Sequence, residues 1–203
     1  MWQPFGENPL ASNPPVLGVG MVGYGFMGKV HTFAYKNLGF YYDLPPVTPR
    51  FVAVCTSRRE TAERAASHGG YERAETDYRR VVEDPRVDVV HVCTPNAHHC
   101  EVAVAALEAG KHVYCDKPLA ATLEEAERMV AAAERAAGAK HQVTFQYRFL
   151  PATLRAKQLM DEGFVGRLFT YRAAYLHSGY IDPNRPMSWR LDLARSGGGA
   201  LLD

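Results

Sequence analysis

The stretch VLGVGMVGYGFMG, residues 16–28, decides the fold. Its first part, Val16 to Val22, is a short apolar run with β-branched residues and predicts a buried strand. Phe26 to Leu38 has the pattern of a helix that ends at Gly39. A strand, a glycine-rich turn and a helix in this order form the unit that binds the pyrophosphate of a dinucleotide.

Three glycines of the turn, Gly23, Gly25 and Gly28, have the G-x-G-x-x-G spacing of that unit. Gly23 permits the tight turn, Gly25 lets a pyrophosphate approach the backbone, and Gly28 lets the helix pack closely on the strand. The helix begins at Phe26 and Met27, where unpaired N–H groups face anionic oxygens. We therefore expect these five residues to contact a bound dinucleotide.

The rest of the chain alternates apolar runs with helical patterns, which predicts a parallel sheet with crossover helices. Val87–Cys93 is apolar almost throughout, as in a strand that is covered on both faces. Thr122 and Glu125 form a capping box at the start of a helix. Further strands are predicted at Phe51–Cys55, His112–Cys115 and Gln142–Gln146. The fold class is thus α/β: a Rossmann-type doubly wound parallel sheet over residues 16–146, after a flexible tail at 1–15.

The pattern changes after Tyr147. Pro151 opens a helix that ends near Gly163, and Leu168–Leu176 alternates like a strand with one wet face. We expect residues 147–203 to begin an α+β substrate domain with an antiparallel sheet. A long strand without partners leaves an exposed edge. Either another subunit covers it or residues that normally follow are absent, so we expect this domain to be incomplete.

Composition excludes several classes of function. The chain has 203 residues, 47% of them hydrophobic, and its net charge of +1 gives no field for nucleic acid. No apolar run is long enough to cross a bilayer, so no membrane partner is expected. Four cysteines without a Cys-x-x-Cys pair favour a reduced, cytoplasmic protein. The side chains of His98, His99 and Cys100 are adjacent and diverge, so no metal site is predicted.

The end of the second predicted strand bears on the choice of cofactor. An acidic residue there would hold the ribose 2′-hydroxyl of NAD. The sequence instead has Thr56, Ser57 and Arg58, two hydroxyls and a guanidinium that suit a 2′-phosphate. NADP is therefore favoured over NAD. The alternative is that Ser57 caps the next helix and Arg58 is solvated.

Two further segments, TPNAHH at 94–99 and KHVYCDKPLA at 111–120, follow or span predicted strands. Together with the glycine turn they resemble the Gfo/Idh/MocA family, which includes glucose–fructose oxidoreductase and inositol 2-dehydrogenase. Three later segments resemble this family too: Tyr147-Arg148, Trp189-Arg190 and GGGALLD at 197–203. The resemblance covers the chain from about Val16 onward, and its lysine–proline segment is more specific than the glycines.

This resemblance implies a Rossmann domain, an antiparallel substrate domain, and hydride transfer between a sugar- or polyol-type hydroxyl and a nicotinamide. It implies that Lys117 hydrogen-bonds the reacting oxygen and helps to move its proton. It also implies a set of contacts to the cofactor or the substrate: Thr94, Pro95, Asn96, His99 and Asp116 for the cofactor, and Arg148, Trp189 and Arg190 for the substrate. Relatives associate through their second domains, so a homo-oligomer is expected.

Two departures from the family pattern concern the acid–base groups. Asp116 stands where the family usually has glutamate. Family members continue from Asp203 through a glycine to an acid–base histidine that Asp203 orients, and the sequence stops at Asp203. We therefore expect Asp203 to be catalytic only in a complete site.

Lys117 also suits its implied role on physical grounds. It follows a predicted central strand at the carboxyl edge, where open α/β sheets bind ligands. Pro118 restricts Lys117 to an extended backbone and permits a cis bond. The alternative is a solvated loop lysine. Two other functions stay open: a non-catalytic NAD(P)-binding sensor, and a glycosidase of the same family that uses its cofactor transiently.

Overall fold

A computed structural model describes residues 14–176, 178 and 181–198. Six parallel strands form one sheet in the order β3-β2-β1-β4-β5-β6. Their bounds are β1 Val16–Val22, β2 Thr48–Cys55, β3 Arg73–Glu75, β4 Val89–Val92, β5 His112–Asp116 and β6 His141–Thr144. The predicted doubly wound parallel sheet is confirmed. The strand order reverses between β1 and β4, and a crevice opens at the carboxyl ends of strands at such a point.

Eight α-helices lie in the described part of the chain. Six connect or follow the strands of the sheet: α1 Phe26–Lys36, α2 Leu38–Tyr41, α3 Arg59–Gly69, α4 Arg79–Val82, α5 His99–Glu108 and α6 Leu123–Arg135. The other two are α7 Pro151–Asp161 and α8 Leu193–Ser196, and short 3₁₀ turns occur at Asn96–His98, Gln146–Phe149 and Trp189–Leu191. No described helix is long and apolar enough to span a bilayer.

The two faces of the sheet pack into separate clusters. Val22 belongs to a large cluster that also contains residues of α5 and α6, whereas its neighbour Met21 packs with Val54, Ala65 and Tyr71. Successive residues of a strand point to opposite faces, so this division follows from the alternation. Burial on both faces explains why the strands are apolar almost throughout. Cys55, Cys100 and Cys115 are buried as free thiols.

Two local signals at helix ends have different outcomes: the capping box is confirmed and the stop at Gly39 is not. The Thr122 Oγ1 accepts from the N–H of Glu125 at 3.2 Å, and the Glu125 carboxylate accepts from the N–H of Ala121. The predicted stop at Gly39 is wrong, because α1 ends at Lys36 and Gly39 lies inside α2. The Asn37 side chain ends α1 earlier by donating to the carbonyl of Phe33 at 2.7 Å.

After β6 the prediction succeeds only in part. The helix that Pro151 opens is present as α7, with Gly163 beyond its end at φ 79. The strand predicted at Leu168–Leu176 is wrong, since none of these residues is in a strand. An alternating pattern does not create a strand unless a partner accepts its backbone hydrogen bonds. The antiparallel sheet and the division at residue 146 stay predictions.

Candidate active site

A cleft of about 1030 Å³ lies at the carboxyl edge of the sheet. Its walls come from the turn between β1 and α1, the segments after β2, β3, β4 and β5, one face of α3, the first turn of α5, and residues 189–195. The cleft therefore lies at the point where the strand order reverses. Open α/β sheets bind their ligands at this position.

The glycine turn forms the floor of the cleft. Gly23 has φ +89, and a Cβ there would collide with the carbonyl oxygen of Cys93. A Cβ on Gly28 would collide with the carbonyl oxygen of Gly23, so the start of α1 lies directly on the turn. At Gly25 a Cβ would meet no atom within 4 Å, which leaves a cradle open to the cleft.

The N-terminus of α1 faces this cradle. Gly25 is the N-cap residue and provides no side-chain hydrogen bond. The N–H groups of a first helical turn have no partner within the helix. Phe26 and Met27 line the cleft beside Gly23 and Gly25. The backbone therefore offers donors and a positive dipole end to an anion.

The three residues predicted to bind the ribose end all line the cleft. Thr56 Oγ1 donates to the carbonyl of Arg58 at 3.1 Å and lies 2.6 Å from Thr61 Oγ1. Arg58 itself is the N-cap residue of α3, without a side-chain cap. The alternative in which Ser57 caps this helix is therefore wrong, and the hydroxyl of Ser57 lines the cleft instead.

Two guanidinium groups near this end have no ion pair within the described residues. Arg58 lines the cleft from the start of α3, and Arg64 lines it one and a half turns later. Arg79 also lines it, but its guanidinium contacts Asp77 at 3.4 Å. The negative charge of Asp77 on this wall is thus offset by Arg79. The balance of charge at this end of the cleft is thus positive.

The segment after β4 contributes Thr94, Pro95 and Asn96 to the cleft, as predicted. Thr94 Oγ1 is buried and has no hydrogen-bond partner among the described residues. Asn96 is only 3% exposed, and its amide donates to the carbonyl of Ser196 at 2.8 Å. Asn96 therefore connects the cofactor side of the cleft to the wall that residues 189–197 form.

The prediction that His99 lies beside the nicotinamide or the substrate is wrong. Its ring is 0% exposed and does not line the cleft. Nδ1 lies 2.9 Å from the carbonyl oxygen of Pro118, and Nε2 lies 3.1 Å from that of Thr94. As the first residue of α5, His99 faces the sheet core, whereas the preceding His98 is exposed beside Glu101.

Lys117 and Asp116 line the cleft from the end of β5. The backbone N–H of Lys117 donates to Asp116 Oδ1 at 2.8 Å, so the buried carboxylate fixes the peptide that carries the lysine. The bond between Lys117 and Pro118 is cis. The predicted pair thus lies on the same cleft as the glycine turn.

Residues that follow the sheet form the remaining wall. Trp189 and Arg190 line the cleft as predicted, with the Arg190 guanidinium 4.7 Å from the Trp189 ring centre. Arg148 does not line it; Gln146 of the same 3₁₀ turn does. A 3₁₀ helix has three residues per turn, so the side chains of residues two apart point in different directions. Only Gln146 of the two faces the cleft. Asp203 lies outside the described residues.

Several lining residues were not predicted. Thr61, Arg64 and His68 lie on one face of α3 at helical spacing, and Tyr24 Oη lies 3.3 Å from His68 Nδ1. The spacing of the α3 residues was a usable signal, because side chains three and four apart share a face. Other unpredicted polar or charged lining residues include Lys29, Thr76, Asp77, Tyr78, Arg79, His98, Glu101, Gln146 and Arg195.

The side chains fit a dinucleotide. The cradle at Gly25 leaves space for a pyrophosphate, and Thr94 Oγ1 is a buried hydroxyl in need of a partner. Arg58 offers a guanidinium at the ribose end. Among the described residues no group of three or more His, Cys, Asp or Glu side chains is arranged to hold a metal ion.

Residues 17–145 match the family profile described as "Oxidoreductase family, NAD-binding Rossmann fold", and residues 153–203 match "GFO/IDH/MocA C-terminal domain". The chain belongs to the Gfo/Idh/MocA oxidoreductase family. The first match lies within the predicted Rossmann region and carries the glycine turn and Lys117. The family resemblance in the sequence is thereby confirmed.

Several Gfo/Idh/MocA proteins are similar along nearly the whole chain. Levoglucosan dehydrogenase of Pseudarthrobacter phenanthrenivorans is 41% identical over 187 residues, covering 92% of this chain and 48% of that protein. D-xylose 1-dehydrogenase [NADP(+)] of Haloarcula marismortui is 31% identical, and the match covers 100% of this chain and 53% of that protein. A structure of levoglucosan dehydrogenase in complex with NADH and levoglucosan has a TM-score of 0.86 at 41% identity, covering 93% and 50%. The chain spans about half the length of these relatives.

Behind the glycine turn this family member has a buried polar cluster that was not predicted. His31 Nδ1 lies 3.0 Å from His91 Nδ1, and Tyr35 Oη lies 3.0 Å from His91 Nε2. Burial lowers the pKa of His91 to about 3 and lowers that of His31, although Asp116 acts in the opposite direction on His31. Burial raises the pKa of Tyr35 to about 12. The cluster is therefore neutral near pH 7, and it joins α1 to β4.

Proposed function

We propose that this protein is an NAD(P)-dependent oxidoreductase that transfers a hydride between a sugar- or polyol-type hydroxyl carbon and the nicotinamide. One observation carries the proposal: a single cleft joins a glycine turn with an open cradle to Lys117 at the end of β5. The turn suits a pyrophosphate, and an ammonium at the far wall suits an alcohol or carbonyl oxygen. The names of the relatives support sugar-like substrates.

The bound cofactor would supply the hydride acceptor or donor. The residues of the chain hold and orient the reacting groups. Gly25 and the N-terminus of α1 bind the pyrophosphate, and Thr94 Oγ1 hydrogen-bonds the part of the cofactor that reaches the segment after β4. Lys117 Nζ hydrogen-bonds the substrate oxygen and moves its proton, while Asp116 holds the Lys117 backbone.

The substrate wall has the properties that a polyol needs. The Trp189 ring offers a flat apolar surface, and Arg190 beside it offers donors to hydroxyl oxygens. Asn96 connects this wall to the cofactor side through Ser196. The arrangement favours a small ring-shaped polyhydroxy compound over an extended apolar one.

Substitution of Lys117 tests the reaction. We expect K117M to reduce oxidation of a panel of aldoses, anhydrosugars and inositols by about 10²–10⁴-fold, because it removes the acid–base group. Production of reduced nicotinamide is followed by absorbance, and cofactor affinity by fluorescence. The control is K140M, because Lys140 lies just before β6 and outside the cleft.

The same assay separates the competing functions. A wild-type chain that binds cofactor and oxidises nothing would favour a sensor protein. Cleavage of a glycoside without net reduction of free cofactor would favour a glycosidase. Equal activity of K117M and wild type would contradict the assignment of Lys117.

The 2′-phosphate of NADP suits the ribose end better than the free hydroxyl of NAD. Arg58 and Arg64 line the cleft without an ion pair in the described residues, while the carboxylate of Asp77 is already held by Arg79. A guanidinium binds phosphate oxygens with charge-assisted hydrogen bonds. A preference for NADP therefore remains part of the proposal, although the complexes of levoglucosan dehydrogenase contain NADH.

Fluorescence titration with NADPH and NADH tests the preference. We expect NADPH to bind more tightly, and R58A to weaken NADPH binding by about 10–100-fold, the range of a lost charge-assisted hydrogen bond. R59A is the matched control, because Arg59 is paired with Glu63 and does not line the cleft. Tighter binding of NADH, or equal effects of R58A and R59A, would contradict the preference for NADP.

Association through the second domain and a cytoplasmic location also remain proposals.

A further inference from the structure

The segment after β4, residues 93–98, borders three other parts of the cleft. The glycine turn lies against it, since Gly23 approaches the backbone of Cys93 and Thr94 too closely to tolerate a Cβ. The substrate wall is joined to it by the hydrogen bond from Asn96 to Ser196. The third neighbour is residues 116–122, the last residue of β5 and the segment after it, which carries Lys117.

The contact with this third neighbour depends on a side chain. The pairing of β4 with β5 ends at Val92 and Cys115. Beyond that point no backbone hydrogen bond between the described residues joins segment 93–98 to segment 116–122. Here the fully buried ring of His99 lies between them, with one nitrogen 2.9 Å from the Pro118 oxygen and the other 3.1 Å from the Thr94 oxygen.

Both acceptors are adjacent to residues that line the cleft. Pro118 follows Lys117 directly, so a contact that fixes the Pro118 carbonyl also restrains the backbone of Lys117. Thr94 precedes Pro95 and Asn96, and its own buried hydroxyl has no hydrogen-bond partner within the described ranges of the chain. A carbonyl oxygen only accepts, so a ring with one N–H donates to one of these two oxygens and contacts the other through its second nitrogen. The buried ring thereby holds the segment of Lys117 at a fixed separation from the segment of Thr94.

We propose that His99 is a positioning residue for the nicotinamide end of the cleft. It touches neither cofactor nor substrate and acts by holding the segments of Thr94 and Lys117 together. The inference rests on the proposed function. A displacement of about 1 Å at a reacting centre is enough to reduce a rate by roughly 100-fold.

Ligand binding with and without a nicotinamide tests this role. The wild-type chain is titrated with its preferred reduced cofactor and with the analogue that lacks nicotinamide, ADP-ribose or 2′-phospho-ADP-ribose. The variants are H99F, which keeps a ring without donors, and H99Q, which keeps an amide donor. The control is H141F, because His141 is exposed on β6.

We expect wild type and H141F to bind the reduced cofactor about tenfold more tightly than the analogue, because of the additional nicotinamide contacts. H99F should lose this advantage to within about twofold while its affinity for the analogue is unchanged, and H99Q should recover part of it. An equal loss for both ligands would assign His99 a general structural role and overturn the inference. An unchanged ratio in H99F would overturn it as well.

A spectroscopic measurement separates this inference from the proposed function. In a ¹H–¹⁵N spectrum of the wild type, the buried ring should give an N–H signal protected from solvent exchange that H99Q lacks. Absence of this signal would contradict the contact itself, even where H99F fails to fold. Failure of the wild type to bind either ligand would overturn the proposed function, whereas binding with an unchanged ratio would overturn only the role of His99.

Discussion

The sheet region, residues 16–144, and the stretch at 145–198 use the same kinds of side chain differently. Valines such as Val90 and Val92 are completely buried in the sheet. In the later stretch Phe169 is 84% exposed and Leu176 is 90% exposed. The free energy of burial thus acts within the sheet region, while the later stretch joins the cleft through a few contacts such as Asn96 with Ser196. The cleft wall at residues 189–197 consequently has fewer buried side chains than the segments at the carboxyl edge of the sheet.

Substitution in the glycine turn should give the largest effect. In G28A the new Cβ would collide with the carbonyl oxygen of Gly23, so the turn or α1 must shift. We expect a loss of about 3 kcal/mol in the free energy of unfolding, in the upper range for overpacking. Binding of the reduced cofactor should weaken at least about 100-fold.

The control for G28A is G39A, another helical glycine whose Cβ would meet no atom within 4 Å. It should leave stability unchanged or raise it by about 0.5–1 kcal/mol. Both free energies come from urea unfolding. Equal stabilities for G28A and G39A would show that the turn is not tightly packed.

Acidification should weaken the sheet region by an intermediate amount. The pKa of His91 is lowered by burial from 6.5 to about 3, so the unfolded state binds the proton more readily. Stability is therefore full above about pH 6.5 and falls as the pH drops toward 3. Between pH 7 and pH 5 we expect a loss of about 2 kcal/mol from His91, and a further loss from His31, whose pKa is also lowered.

H91F isolates this contribution, because it keeps a ring at the same position and removes the titration. The groups that face the pair are Tyr35 from α1, Cys93 just after β4, and Tyr114 and Asp116 from β5. The paired carboxylates of Glu72 and Asp84 have lowered pKa values. Their contribution to the free energy of unfolding is therefore lost only at lower pH. An unfolding free energy of H91F that falls as steeply as that of wild type between pH 7 and pH 5 would contradict the assignment.

The smallest effect is expected in the later stretch. L176S removes an apolar side chain that is already exposed, so the free energy of unfolding should change by less than about 0.5 kcal/mol. V90A, in the fully buried centre of β4, should cost about 2 kcal/mol. Thermal or urea unfolding compares the two. A cost for L176S equal to that of V90A would mean that the later stretch is packed in solution, and would remove the difference between the regions.

The parts of the fold that depend on local rules were predictable from sequence. The glycine spacing at residues 23–28 determines a turn whose φ value and close contacts other residues cannot adopt. The capping box at Thr122 and Glu125 is similarly local. These predictions succeeded because their physical causes lie within a few residues of chain.

The errors share the opposite property. A period-two pattern at Leu168–Leu176 carries no information about a partner strand, and none is present among the described residues. The role of His99 depends on the carbonyl of Pro118, nineteen residues away. The pairing of His31 with His91 joins residues that are sixty apart in the sequence. A histidine alone does not indicate burial, because histidines occur both inside proteins and at their surface. Contacts of this kind become visible only after the sheet has brought the segments together.

The reactivity of the buried cysteines reports how often the sheet opens. Burial raises the pKa of Cys55 and of Cys115 to about 12, so at pH 7 only about one thiol in 10⁵ would be ionised. The thiolate is the form that reacts with alkylating reagents and peroxides. Carboxymethylation of these two positions should therefore require β2 and β5 to open, and its rate should follow the fraction of molecules in which they are open. A bound dinucleotide that holds the carboxyl edge together would slow the reaction at Cys115 without touching its sulfur, whereas Cys55 lines the cleft itself.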